Sequence, residues 1–417
     1  MNKSRFFAFL SAIVLAAACR QAPPQRRSPE LLRTVPTDAL VVMPASSLGD
    51  ALTLALDSSN VLRRLDWGRL KDKDAVISFV YNSKLSPIVC VEAGRSATDT
   101  LQDVKSILEK APGSKAFAGY IPSDASGTGR NILVVCLSEA VYSATMRHLE
   151  AGRSVLDAPD FVRALELATE SNAVFIRNDG WDKILPRQYL PIFNRRELVK
   201  FAKGACDWTV VVPDGDAASV RFCRHDDSPQ FVCFLEDLKG GESLLPAMIP
   251  EDASFALSMP VGDGFRESYR NWRYVSSNLD KYDKELARLA KLRGTKPLEW
   301  EKTAGVRELG LIQWGKGRKV MLVRCAKEQQ DSREPVENEI AGFVPALYGS
   351  AFGAVKDSCC IFQDGWRICG MPDDLKAYSE AERAASAFLS RKDCKFAIWQ
   401  PGRLLVSDSK GTTMTNE

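Results

Sequence analysis

The chain has 417 residues, 45% of them hydrophobic and 26% charged, with 56 basic side chains against 53 acidic. This is a globular composition, which excludes an intrinsically disordered chain, and its near-neutrality offers no electrostatic footprint for nucleic acid. The length exceeds what one core comfortably holds, so two domains are expected.

The chain begins MNKSRFFAFLSAIVLAAAC. Lys3 and Arg5 form a positive n-region ahead of an apolar run from Phe6 to Ala18. That run is shorter than the ~20 apolar residues of a spanning helix and suits the h-region of a secretory signal. Ala16, Ala17 and Ala18 lead directly into Cys19. The arrangement resembles the lipobox of bacterial lipoproteins, with Ala16 at the position that usually holds Leu. The resemblance implies removal of residues 1–18 as a signal peptide and acylation of Cys19, which ties the chain to a membrane through lipid. Arg20 follows, where lipoproteins kept at the inner membrane typically carry Asp, so an outer-membrane lipoprotein of a Gram-negative cell is implied. The basic, proline-rich stretch to Thr34 makes 19–34 an extended tether and favours the periplasmic face over the cell surface.

The body opens with "VPTDALVVMPASSLGDALTLAL": a turn at Pro36 and Asp38, a buried strand, then a helix capped by Ser46 or Ser47. Strands "AVISFVYN" and "PIVCVEAG" follow, then a helix over Asp99 to Lys110 and strands "KAFAGYI" and "NILVVCLS". "EAVYSATMRHLEAG" reads as a helix with Val141, Met146 and Leu149 on one face, and "DAPDFVRALELAT" as another, started by Asp157 or Pro159. "NAVFIRND" is a strand, Trp181 to Lys203 reads as largely helical, and "WTVVVPDG", "SVRFCRH" and "FVCFLED" read as a closing antiparallel set.

The pattern then restarts. "MIPEDASFALSMP" parallels the opening, Pro250 for Pro36 and Asp252 for Asp38; "WRICGMPDDLKAYSEA" repeats "LVVCLSEAVYSATMRH", with Cys369 for Cys136; "CKFAIWQPG" repeats "SNAVFIRNDG". The three matches run in the same order at offsets of 214, 233 and about 222 residues. The expected fold class is therefore α+β: two related modules of mainly antiparallel sheet packed with helices, an internal duplication. Module 1 spans 35–240, a trimmed module 2 spans 241–405, and 406–417 is a disordered tail. Between the matches, "ESYRNWRYVSSNLDKYDKELARLAKLRG" reads as one long charged helix ended by Gly294, and a hairpin turns at Gly315-Lys316-Gly317. The (V/I)P-x-DA opening, the step after "LVVCLSE" and the run Gly152 to Phe161 resemble uncharacterised exported proteins of Bacteroides-group bacteria, catalogued as domains of unknown function. That resemblance implies an envelope location and carries no catalytic residues.

Eleven cysteines include Cys19. Most of the others sit in apolar runs, as small buried hydrophobes do. Asp364-Gly365 is a two-residue hairpin signal that places Cys360 opposite Cys369 with Cα atoms about 4.5 Å apart, within disulfide reach. Cys223 and Cys233 flank "HDDSPQ" and form a second candidate bridge. No CxxC occurs and the only histidines are His148 and His225, so no metal site, cofactor or catalytic residue is assigned. G-x-S-x-G, H-E-x-x-H and P-loop patterns are all missing.

Binding is what remains. "YRNWRYV" sets Tyr269, Trp272, Arg273 and Tyr274 on a charged helix, a candidate contact surface for another cell-envelope protein. The expectation is a non-enzymatic, protein-binding or scaffolding lipoprotein. Two rivals stand beside it: a surface-exposed glycan-binding lipoprotein, motivated by eight tryptophans, and a hydrolase of unrecognised type.

Overall fold

Pro36 cannot continue an extended ladder, and the chain bends there: the amide of Ala39 donates to Pro36 O at 3.1 Å before the first strand begins. The computed structural model describes residues 31–93, 116–122, 131–168, 173–184, 203–214, 217–224, 230–326, 330–384 and 391–416. The leader, Cys19, the helix expected over Asp99 to Lys110 and most of the helical run expected after Trp181 lie outside them. The chain divides into two compact units, and among the described residues unit 1 ends before Ser228 and unit 2 begins after Pro229.

Among the described residues, unit 1 holds eight strands: β1 (Val41–Ala45), β2 (Ala75–Asn82), β3 (Lys84–Glu92), β4 (Phe117–Ile121), β5 (Ile132–Cys136), β6 (Val174–Arg177), β7 (Trp208–Asp214) and β8 (Ala217–Cys223). Every pairing is antiparallel, in the order β4-β5-β3-β2-β1-β6-β7-β8. The first strand in sequence thus lies inside the sheet, and β2 is buried on both faces over Ala75–Val80, with Ser78 its one polar residue there. Helix α1 (Leu48–Ala55) is capped by the Ser47 hydroxyl, which accepts from the Asp50 amide at 3.3 Å. Helices α2 (Glu139–Glu150) and α3 (Pro159–Leu167) bury Val141, Phe161 and Ala164 against Val42, Ile88 and Cys136. Leu31 and Leu32 join that core from a single 3-10 turn, Leu31–Thr34. The expected tether therefore stops short of Thr34, because two leucines here find an apolar pocket that outweighs the extended preference of the prolines before them.

In unit 2, α4 (Phe231–Asp237) precedes β9 (Gly241–Ser243) and β10 (Ala253–Pro260). Helices α5 (Phe265–Val275), α6 (Leu279–Arg293) and α7 (Pro297–Ala304) follow, then β11 (Val306–Trp314), β12 (Arg318–Cys325) and β13 (Ser332–Glu337). Helix α8 (Phe343–Tyr348), the hairpin β14 (Cys359–Gln363) and β15 (Trp366–Gly370), and α9 (Pro372–Glu380) come next. The chain closes with β16 (Arg391–Cys394), β17 (Phe396–Gln400), β18 (Arg403–Asp408) and β19 (Gly411–Thr415). Its main sheet is antiparallel throughout, β13-β14-β15-β12-β11-β10-β17-β18-β19, while β9 and β16 pair separately. One face packs on α4, α5, α6 and α8, the other on α9.

Four expectations need correction. "FVCFLED" is helix α4, not a strand: Phe234 and Leu238 repeat at helical spacing and pack into unit 2, so the boundary falls before this segment rather than after residue 240. Cys233 is consequently on a helix, and the Cys223–Cys233 hairpin does not form. The long charged helix is two helices, α5 and α6, broken at Ser276–Asn278, with Gly294 as the left-handed cap of the second. The tail is strand rather than disorder: Met414 pairs with Leu405 and Thr413 with Val406.

Candidate functional site

Helix α5 winds its side chains into two stripes. Phe265, Tyr269 and Trp272 fall at i, i+4 and i+7 and turn toward the core, where Phe234, Tyr282 and Tyr348 meet them. Arg266, Arg270 and Arg273 repeat the same spacing one residue on. Arg266 lies against the rings of Phe265, Tyr269 and Tyr348, with its guanidinium carbon 4.9 Å from the Tyr348 centroid. Its Nε donates to Glu301 Oε2 at 2.9 Å, and Nη1 donates to Tyr282 Oη at 2.9 Å and to Leu347 O at 2.6 Å. Burial disfavours the guanidinium charge, but the bond to Glu301 and its negative charge outweigh this and raise the pKa of Arg266. Arg270 pairs with Asp283 at 2.8 Å.

Arg273 differs from both. Its guanidinium stacks on Tyr269, Trp272 and Tyr282 at 5.0, 5.2 and 5.7 Å and donates to Tyr269 Oη at 2.5 Å. Among the described residues no carboxylate forms an ion pair with it. Beside it, Tyr274 is 70% exposed and Val275 50%. The turn that follows is fixed: the amides of Ser277 and Asn278 donate to Tyr274 O and Arg273 O at 3.0 and 2.8 Å. Ser277 takes φ 56° to make that double closure, a conformation usually left to glycine.

The four residues singled out in the sequence thus separate. Tyr269 is buried, Trp272 is wedged half-buried against Phe231 and Phe234, Arg273 is half-buried over the rings of Tyr269 and Trp272, and Tyr274 faces outward. Helical phase explains the division, since 269 and 272 share the core stripe and 274 does not. Arg266, Tyr282, Glu301 and Tyr348 were missed, although the arginine spacing at 266, 270 and 273 was visible. None of the eight tryptophans is exposed.

Other reactive groups are held quiet. Glu308 on β11 is fully buried and accepts from Ser258 Oγ at 2.8 Å and from the amides of Leu244 and Leu245 at 2.8 and 3.1 Å. Burial raises its carboxyl above the ordinary range, against the pull of those donors and of Arg324. Cys206 takes a bond from Asn178 Nδ2, yet burial pushes its thiol up to about 12, far from a nucleophile's range. His148 is half-buried on α2, and His225 lies outside the described residues. Among the described residues no three His, Cys, Asp or Glu side chains gather as a metal site.

Cys360 and Cys369 stand directly opposite each other, and the flanking pairs are Ile361 with Ile368, Phe362 with Arg367 and Gln363 with Trp366. Both thiols are free and fully buried. Cys223 is also free; its thiol donates to Asp160 O at 3.4 Å in unit 1, while Cys233 belongs to unit 2.

Fold and surface together define a two-unit α+β protein with a stacked arginine–aromatic corner. No protein-family model, curated protein or solved structure matches the chain.

Proposed function

We propose that this chain is a non-enzymatic lipoprotein of the bacterial outer membrane, anchored at Cys19 and facing the periplasm, which binds another envelope protein through the corner between α5 and α6. One observation carries the binding reading: Arg273, stacked on rings but unpaired with any described carboxylate, adjoins the exposed Tyr274 on a fixed turn. Tyrosine and arginine on a rigid support are the side chains that dominate protein contacts, because they lose little entropy on docking. The leader and Cys19 support the anchor. The glycan-binding rival draws less support, since all eight tryptophans are buried or half-buried.

The two units are read as copies of one module. Supporting this, β4-β5-β3-β2-β1-β6-β7-β8 and β14-β15-β12-β11-β10-β17-β18-β19 follow one order, with β13 added outside β14. The opening turns also agree, since the Ala253 amide donates to Pro250 O at 3.1 Å as that of Ala39 does to Pro36 O. With β18 and β19 included, the second copy is not trimmed. The counterpart of Cys136 becomes Ile368 rather than Cys369. Cys136 shares a core with α2, Ile368 shares one with α9, and Cys369 points to the other face.

A photo-crosslinking residue placed at Tyr274 in cells making the full chain tests the binding reading. A discrete protein adduct, missing when the crosslinker sits at Tyr81 and lost in Cys19→Ala, supports it; no adduct at position 274 refutes it. Protease treatment of intact cells reads the membrane face, and digestion before the outer membrane is opened overturns the periplasmic assignment.

A further inference from the structure

We infer that Cys360 and Cys369, free thiols in this structure, are placed to be oxidised to a cross-strand disulfide that closes the β14–β15 hairpin. The inference goes beyond the proposed function and rests on the sheet. The hairpin turns through Asp364 and Gly365 at φ 54° and 77°, the left-handed pair of a two-residue type I′ turn. In such a hairpin the closing pair, Gln363 and Trp366, exchanges hydrogen bonds, and pair types then alternate outward. Cys360 and Cys369 are the fourth pair, a non-hydrogen-bonded one, where the side chains approach most closely. Cα separations there, about 4.5 Å, lie inside the range that a disulfide spans. No shift of register is needed, because the ladder runs unbroken from Cys359–Gly370 to Gln363–Trp366.

The neighbours fix which thiols pair. Cys359 projects to the opposite face and stands across from Gly370, which offers no side chain. Arg367, two residues before Cys369 on the same face, is held by Asn338 Oδ1 and Glu339 Oε1 at 3.2 and 2.8 Å. Burial pushes the Cys360 thiol up to about 11 and that of Cys369 well above its ordinary value, and the charge of Arg367 offsets only part of this. Once packed, these thiols are poor nucleophiles, so the bond forms while the hairpin closes and before the core seals over it. The reaction is an exchange with an external disulfide. Each cysteine gives up its proton, an S–S bond forms between them, and the two electrons reduce the oxidant's disulfide to two thiols.

The test refolds the full chain from denaturant in mixed reduced and oxidised glutathione, alkylates it in denaturant without reductant, and digests it with trypsin. Peptides 357–367 and 368–376 are expected as one linked species, lighter than their sum by two hydrogen atoms and split by a reductant. Cys359→Ala is expected to keep the linked species, and Cys360→Ala and Cys369→Ala to abolish it. Separately alkylated peptides from the wild-type chain overturn the inference, as does linkage that survives Cys360→Ala. Because alanine is close to cysteine in size and these sites are apolar, the variants report on linkage rather than on folding, and circular dichroism of the refolded chains checks that.

Discussion

Arg266 and Glu301 meet edge to edge, with Arg266 Nε 2.9 Å from Glu301 Oε2 and Nη2 on Oε1 beside it. The pair ties α5 to α7, and Tyr348 joins α8 to it by donating its hydroxyl to the same carboxylate. Both side chains are mostly buried, at 22% and 14% exposure, so breaking the pair strands a charge. Glu301→Ala is expected to lower stability by about 3 kcal/mol. Arg266→Lys should lose a comparable amount, because an ammonium cannot reproduce the two-pronged contact or the stacking. The double variant Arg266→Met with Glu301→Leu should be less destabilised than either single loss. Urea denaturation of the wild type and the three variants decides it, and a double variant destabilised more than Glu301→Ala would contradict the coupling.

Glu308 gives stability a pH dependence of definite sign. Its folded carboxyl titrates above the ordinary value of 4.5 because burial disfavours the charge. Its contribution is therefore complete below that value and is lost as pH rises through the raised folded pKa. Glu308→Gln removes the titration, so the wild-type advantage over this variant should shrink from acid toward neutral pH. Glu308→Ala should cost about 3 kcal/mol, since Ser258 and the amides of Leu244 and Leu245 lose their acceptor. Denaturant midpoints measured in steps from acid to neutral pH test both statements; a difference between wild type and Gln that is flat with pH contradicts the first.

How much of this was legible depended on how local each cause is. The register of β14 and β15 followed from Asp364-Gly365, because a two-residue turn leaves one alignment. The Gly315-Lys316-Gly317 hairpin was legible for a similar reason, and both glycines take positive φ. "FVCFLED" misled because a seven-residue apolar run fits either period, and tertiary packing of Phe234 decided it. The α5–α6 break carries no glycine or proline. It depends on Ser277 in a left-handed conformation, stabilised by bonds from Asn278 Nδ2 to Ser276 O and Oγ at 2.7 and 3.3 Å. At the candidate corner the residue types were legible, but their division between core and surface required the helical phase that this break sets.

Ser277 itself is a point of local strain. Ser277→Gly is expected to leave the fold intact and to change stability by less than about 1 kcal/mol, relief of the left-handed conformation being offset by glycine's greater unfolded entropy. Ser277→Val should cost about 1–2 kcal/mol, since a β-branched residue tolerates that region least. Thermal denaturation of the two variants is the measurement, and equal stability would mean that the turn relaxes.

The C-terminal segment offers the sharpest contrast between polarity and structure. "DSKGTTMTNE" has the composition of a frayed end, yet Gly411–Thr415 pairs residue by residue with Leu404–Asp408. Alternation explains it: Thr412 is buried and donates to the buried Ser407 hydroxyl at 3.1 Å, while its neighbours Gly411 and Thr413 face solvent. A threonine-rich strand satisfies its own polar groups across the ladder and so does not need an apolar composition to stay folded. Removing residues 409–417 would leave β18 paired only with β17, and its Leu404 and Val406 belong to the core shared with α9. The truncated chain is expected to lose about 2–3 kcal/mol, from several ladder hydrogen bonds and newly wetted apolar surface. A disordered tail would be removed without any change. Hydrogen exchange separates the two cases directly: the amide of Val406, which faces β19, should exchange freely once β19 is gone, while that of Leu405, which faces β17, stays protected, and unchanged protection of Val406 would mean that β18 holds without β19.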